Sequence, residues 1–319
     1  MHTSDLLPVA PPSPCAASLD RLRAVQLEMA SRVEGPLPTT DVTLPAVAGR
    51  VLAEPLYRLE PRSAQEGPVL ASGTLLRPAH VPVLSSLGRT TVRVFERARV
   101  GIMAFGCSGQ APPAVGDGAS TTAAMLSAVI EDMGAKAFVS SCETADACHL
   151  LSSLKALLSA GCSLVLIVGA INGEVQEALE RSGALREATI LSDLELEPFG
   201  SVRLARACRA HLVALPTDPE AAYATFTALV SPLVRALSGR ADATSPASTA
   251  LLIDDRTGRP SGPGPFWVHE QPTLSRCSAA RVLRRTDDGL ASIADATGIA
   301  WRPSDLGCVL PGAVAYIPL

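Results

Sequence analysis

Hydrophobic positions along the chain change their period several times, and each change marks an element. A continuous apolar run of Leu, Val and Ile is Leu164–Val168, inside SLVLIVGAINGE (163–174). It is too short for an ordinary helix and rich in Val and Ile, so it predicts a strand buried on both faces. Gly169 ends it, Asn172-Gly173 predicts a turn, and Glu174 opens a helical pattern through Ala178 and Leu179 to Arg181. A strand that passes through a glycine turn into a helix sets backbone N–H groups at its carboxyl end, where open α/β sheets bind anions. Any α/β unit needs such a turn, so the pattern speaks first for the fold.

The same alternation extends both ways. Val100–Phe105 predicts a strand ending at Gly106-Cys107-Ser108-Gly109. Asp117–Thr122 opens a helix that runs through Met125, Val129 and Ile130 to Gly134. Ala137–Ser140 predicts a strand, and Asp146–Ala160 a helix with Leu150, Leu151, Leu154, Leu157 and Leu158 on its buried side, closed by Gly161. Two shorter strands are expected near Thr189–Glu195 and Ala210–Leu215. A long helix then starts at Pro219 or Glu220, passes Tyr223, Phe226, Leu229 and Val230 to Leu237, and stops at Gly239. Strands alternating with helices predict an α/β fold, a mostly parallel sheet with helices on both faces.

The flanks read differently. Residues 1–17 are rich in Pro, Ser and Ala and are expected to be disordered. Ser18 reads as an N-cap for an amphipathic helix carrying Leu19, Leu22, Val25, Leu27 and Met29. Val42–Leu44 predicts a short strand, Leu44–Leu52 a short helix, and Leu75–Gly88 another; Arg58–Gly73 is polar and irregular. Thr90–Phe95 alternates as a strand with Val92 and Val94 on one face. These pieces predict a short helical and extended segment without a large core. After a linker at Arg240–Ser248, short β-prone segments at Ala250–Ile253, Phe266–His269, Ala280–Leu283 and Ala313–Ile317 predict a small antiparallel sheet or barrel.

Composition narrows the function classes. Among 319 residues, 47% are hydrophobic and only 3% aromatic, so the core must be built of Leu, Val, Ala and Ile. A net charge of −4 gives no broad basic surface and argues against general nucleic-acid binding. Neither a membrane-length apolar run nor the basic start of a signal peptide is present, so a cytoplasmic location without a membrane partner is expected. The eight cysteines form no CxxC, and Cys142, Cys148 and His149 match no zinc spacing; thiols in the core are the expectation.

One segment is more specific. Leu215–Gly239, LPTDPEAAYATFTALVSPLVRALSG, is similar to the segment beginning LPGNPVSA in the molybdopterin molybdenumtransferase family, the MoeA and gephyrin E-domain group. GRVLAEPL at Gly49–Leu56, the Gly73–Gly88 segment and Arg99–Gly109 resemble other motifs of that family in the right order, and VGAING at Val168–Gly173 stands where the family has SGGVSVG. The resemblance implies a reduced N-terminal segment over 18–96, a MogA-like domain over 97–240 that binds molybdopterin or adenylated molybdopterin, and the family's C-terminal β-module over 249–319. It implies a homodimer, with Mg²⁺ and molybdate as further substrates of the site. Carried over by position, the cofactor-binding residues are Gly106, Ser108, Gly169, Asn172, Gly173, Pro216, Thr217, Asp218 and Pro219. Asp117 and Asp146 take catalytic roles, and Asp146 and Asp218 metal roles. Each of these three aspartates has a second reading, Asp117 and Asp146 as helix N-caps and Asp218 as a turn former before Pro219.

The departures bear on function. Cys107-Ser108 replaces the acidic pair of STGDEL, and the central loop keeps only Gly169, Asn172 and Gly173 of SGGVSVG. The family's PGKP corresponds to Pro198-Phe199-Gly200-Ser201, without the lysine, and PPFDNSAMDGYA has no counterpart in the short Arg58–Gly73 stretch. Cys107 and Ser108 lack a His or acid partner for nucleophilic work. His211 precedes a buried strand and reads as structural. Three functions stay open: a divergent molybdopterin-binding protein with weakened or no transferase activity, an active transferase, and a scaffold for a molybdoenzyme or a cofactor-synthesis protein.

Overall fold

Proline at the start and a clean apolar stripe set the first helix. The computed structural model describes residues 14–31, 33, 37–58, 67–105, 118–142, 147–169, 191–196, 200–207, 210–244, 248–253, 266–271, 278–282, 294–301 and 313–319. Helix α1 spans Pro14–Ser31, so it starts four residues ahead of the expected Ser18 cap, with proline in the position that needs no N–H. Leu22, Val25, Gln26 and Met29 form its buried stripe at helical spacing. Leu27, expected on that face, lies outside the stripe and is 58% exposed. Residues 25–245 cluster as one compact unit, and 1–24 with 246–319 as the other.

In the larger unit, β1 (Thr39–Thr43) pairs antiparallel with β2 (Thr91–Phe95). The helix expected over Leu44–Leu52 is only a 3₁₀ turn, Leu44–Ala46. Gly49 turns the chain at φ 73°, and Val51 and Leu52 then bridge to Leu75 and Val94. Helix α2 is His80–Ser86. Contrary to the sequence expectation, these pieces have their own core: Val47, Leu52, Leu56, Leu76, Leu84, Leu87, Val92 and Val94. Its members come from widely separated short segments, so no single stretch announces it.

The central sheet follows the predicted alternation. In chain order its elements are β3 (Arg99–Phe105), α3 (Gly118–Asp132), β4 (Lys136–Cys142), α4 (Ala147–Ser159) and β5 (Leu164–Val168). Strands β6 (Leu191–Leu196), β7 (Gly200–Ala207) and β8 (Ala210–Leu215) complete it. Among the described residues the order is β4-β3-β5-β8-β7-β6, with the first four parallel and the last two antiparallel. Strand β7 was not anticipated, because Ser201–Ala207 mixes Ala and Arg with few β-branched residues. Met103, Phe105, Val165, Ile167 and Leu212 pack with Leu150, Leu154 and Leu157 of α4. Gly101 admits that helix, since a Cβ there would sit 2.8 Å from Leu157 Cδ1. Alternate strand residues, Ile102, Ala104, Leu166 and Val168, turn to the opposite face, where α3 buries Ala119, Ala123, Leu126 and Ile130. The helix expected over Glu174–Arg181 lies outside the described residues.

The long helix after β8 is continuous but changes its winding: α5 (Pro219–Thr225), a π turn at Phe226–Val230, and α6 (Ser231–Leu237). Pro232 explains the change. It has no N–H for the carbonyl of Ala228, four residues earlier, and its ring disfavours regular winding. The Ser231 N–H reaches back to Phe226 O, and the buried Gln26 of α1 donates Nε2 to Ala228 O at 2.8 Å. The helix ends at Gly239, φ 76°, where the Phe95 ring occupies the space of any Cβ.

The second unit contains a closed barrel of β9 (Ser248–Ile253), β10 (Phe266–Gln271), β11 (Ser278–Val282), β12 (Gly298–Trp301) and β13 (Ala313–Pro318). Its order is β10-β11-β9-β13-β12, and closure leaves no exposed sheet edge. β11 and β9 are parallel; the other pairs are antiparallel. Four-residue β12 was missed in the sequence for its brevity. The interior is Ala250, Val268, Ala300, Val314 and Tyr316. The Tyr316 ring covers Gly298, filling the place of its missing side chain.

Candidate functional site

Strand order locates the crevice. The chain moves from β3 outward to β4, then crosses back over β3 to β5 and on to β8. The order therefore reverses between β3 and β5, and open α/β sheets bind ligands outside the carboxyl ends at such a point. Ala104 and Val168 are the last paired residues, so Phe105 and Gly169 stand side by side beyond them. Gly169 has φ 135°, and a Cβ there would lie 3.2 Å from Phe105 Cβ. Both the conformation and the close approach require glycine.

The end of β8 adjoins this point, since Val168 pairs with Leu215. Pro216, Thr217 and Asp218 are exposed there, and Pro219 starts α5. Asp218 has extended backbone, φ −65° and ψ 123°, and its Oδ2 accepts the Ala221 N–H at 2.8 Å. The Thr217 carbonyl accepts Thr122 Oγ1 at 2.7 Å. That bond ties the loop to the first turns of α3, where a Cβ on Gly118 would stand 3.4 Å from the same carbonyl. Thr122 was absent from the sequence-derived site. The available signal was its place on the stripe Ala119, Ala123, Leu126, Ile130: a hydroxyl buried there needs a partner.

Helices α3, α4 and α5 all begin at this edge, each following a parallel strand, so their positive ends gather there. The first turns of α3 and α4 carry no acid, and α5 has Glu220. Gly169, Pro216, Thr217, Asp218 and Pro219 are thus brought to one edge. Gly106, Cys107, Ser108, Asp117, Asp146, Asn172 and Gly173 lie outside the described residues. The Asp218 carboxylate acts as a helix cap, and among the described residues no group of three His, Cys, Asp or Glu is placed to hold a metal.

Other ionisable groups are structural. His211 lies within β8 rather than before it, is buried, and donates its backbone N–H to Ser163 O at 3.0 Å. Burial pushes the Cys162 thiol up, against the opposing charge of Arg99. Burial also pushes Tyr223 up, and the negative charge of Asp132 adds to it. Cys148 is exposed on α4. No helix among the described residues is long and apolar enough to cross a membrane.

Neither protein-family models nor curated proteins match this sequence. Solved structures do match in three dimensions. A molybdenum cofactor biosynthesis protein from Pyrococcus furiosus superposes with TM-score 0.64 at 20% identity, covering 93% of this chain and 98% of that one. A molybdopterin biosynthesis moeA protein from Pyrococcus horikoshii OT3 gives TM-score 0.65 at 16% identity, over 93% of this chain and 99% of that one. The chain therefore has the MoeA-like fold, a mostly parallel sheet with four parallel strands flanked by helices and a small C-terminal β-module.

Proposed function

We propose that this chain is a divergent molybdopterin-binding protein of molybdenum cofactor biosynthesis or handling, with transferase activity weakened or lost. The observation that carries this reading is the crevice where strand order reverses. It is edged by Gly169 and the 216–219 loop, within a fold shared over 93% of the chain with molybdenum cofactor biosynthesis proteins. The N-termini of α3 and α4, whose first turns carry no acid, offer N–H groups and positive potential to the phosphate of molybdopterin or of its adenylated form.

In this reading residues 97–240 bind the ligand, while 18–96 and 249–319 complete the protein, as a homodimer. Gly106, Ser108, Asn172 and Gly173 supply backbone approach to the ligand beside Gly169, Pro216, Thr217 and Pro219. Asp117 and Asp146 are what remains of the acidic machinery. Asp218 is engaged as a cap, and Cys107-Ser108 stands in place of two acids, which supports weakened handling of Mg²⁺ and molybdate.

Isothermal titration with adenylated molybdopterin, with and without Mg²⁺ and molybdate, tests the proposal. Saturable binding with little release of AMP is expected. AMP release dependent on Mg²⁺ and molybdate would instead make the protein an active transferase. Absence of binding overturns the proposal.

A further inference from the structure

At the far end of the long helix is a pocket of about 370 Å³, lined in part by Gly73, Arg77, His80, Arg240, Ala241 and Asp242. Arg240 follows Pro219 by enough helix to put the pocket roughly 30 Å from the sheet's carboxyl edge, at 1.5 Å of rise per residue. We propose that this pocket binds a phosphate monoester of a small polar molecule, at a site distinct from the crevice.

Its walls are held together. Ala241 N donates to Gly73 O at 3.0 Å, and a Cβ on Gly73 would lie 2.7 Å from Ala241 N, so the two segments are in direct contact. Its donors are oriented. His80 Nδ1 accepts the Arg77 backbone N–H at 2.9 Å, which places the proton of the neutral ring on Nε2 as a donor. Arg240 gives Nε and Nη2 to Asp242 at 2.7 and 2.5 Å, fixing the guanidinium and leaving Nη1. Arg240 is largely covered, its side chain 14% exposed.

The charge is unbalanced. Asp242 is the one carboxylate among the lining residues, against Arg77 and Arg240, with Arg235 close behind. Arg235 donates Nη1 to Thr244 O at 3.2 Å, and its buried Nε has no partner. Burial and then the charge of Arg240 depress the Arg235 guanidinium, a sign that the two cations repel. Burial pushes the Asp242 carboxyl up, but its hydrogen bond to Arg240 and the charges of Arg240 and Arg235 outweigh this and hold it low. A dianion would relieve the repulsion and accept from Arg77, His80 Nε2 and Arg240 Nη1 together. The volume exceeds that of a phosphate group alone and suits a small organic body attached to it, since ligand pockets begin near about 300 Å³.

Arg235 lies in the last turn of α6 and Arg240 directly follows that helix, so the test uses residues off it. Inorganic phosphate and ribose 5-phosphate are titrated into the full chain at constant ionic strength, following the His80 ring protons by NMR, assigned with His80→Gln. Saturable shifts are expected, tighter for ribose 5-phosphate. Arg77→Gln should weaken binding about tenfold or more, the scale of one charged hydrogen bond. Its fold should be intact, because Arg77 is exposed and its recorded hydrogen bonds use only its backbone N–H and carbonyl. No saturable shift, equal binding by Arg77→Gln, or binding of inorganic phosphate without the sugar phosphate would each overturn the proposal.

Discussion

Gln26 shows how far one side chain can be committed. It is fully buried, and its Nε2 meets the carbonyl that Pro232 leaves without a helical donor. Gln26→Glu would turn an acceptor toward that carbonyl and bury a charge, so a loss of about 3–5 kcal/mol is expected at neutral pH, as for other uncompensated buried ions. Burial raises the new carboxyl's pKa above its unfolded value, so the folded state binds the proton more tightly. Part of the loss should be recovered as pH falls through the raised value. Urea unfolding at neutral and mildly acidic pH measures both. Cys162 gives the alkaline counterpart. Its folded pKa is raised, so its contribution is complete below the ordinary thiol value of 9.0 and is lost as pH rises beyond it. Cys162→Val should remove the first part of the alkaline decline in urea midpoint; an unchanged profile would place that decline elsewhere.

At the scale of elements, capping and interruption organise the long helix. Asp218 satisfies the Ala221 N–H, so Asp218→Ala should cost about 1 kcal/mol, and Asp218→Asn much less, because asparagine caps as well. A thermal melt of the two variants separates this role from any need for the negative charge, which would appear in ligand binding instead. Elements with strong local signals were legible in the sequence: the all-apolar β5, the Leu stripe of α4, and the Pro219-to-Gly239 helix with both ends. Legibility failed where neighbours decide. Gly49 and the bridges of Val51 and Leu52 replaced an expected helix with extended chain, β7 lacked β-branched residues, and the π turn depends on Pro232 and Gln26 together. At the site, Gly169 was legible as the glycine that ends an all-apolar run, and the 216–219 loop entered through the family resemblance of Leu215–Gly239; the structure brings the two to one edge. For Thr122 the stripe of α3 signals only a buried hydroxyl in need of a partner; that the partner is a carbonyl 95 positions away comes from the fold.

At the scale of the whole molecule, two compact units share one chain, and their cores differ in kind. The larger is layered and aliphatic, as 3% aromatic content requires; the smaller closes on itself around Tyr316. The chain's two tryptophans, Trp267 and Trp301, are buried side chains of the barrel strands β10 and β12. Indole fluorescence therefore reports on the surroundings of those two strands, while far-ultraviolet circular dichroism is dominated by the helices of the larger unit. Gly298→Ala pushes against the Tyr316 ring and should lower the temperature of the emission transition while the dichroic transition stays in place. If both shifted together, the two units would share a single cooperative unfolding, and the colour of two indoles would then report on every residue of the chain.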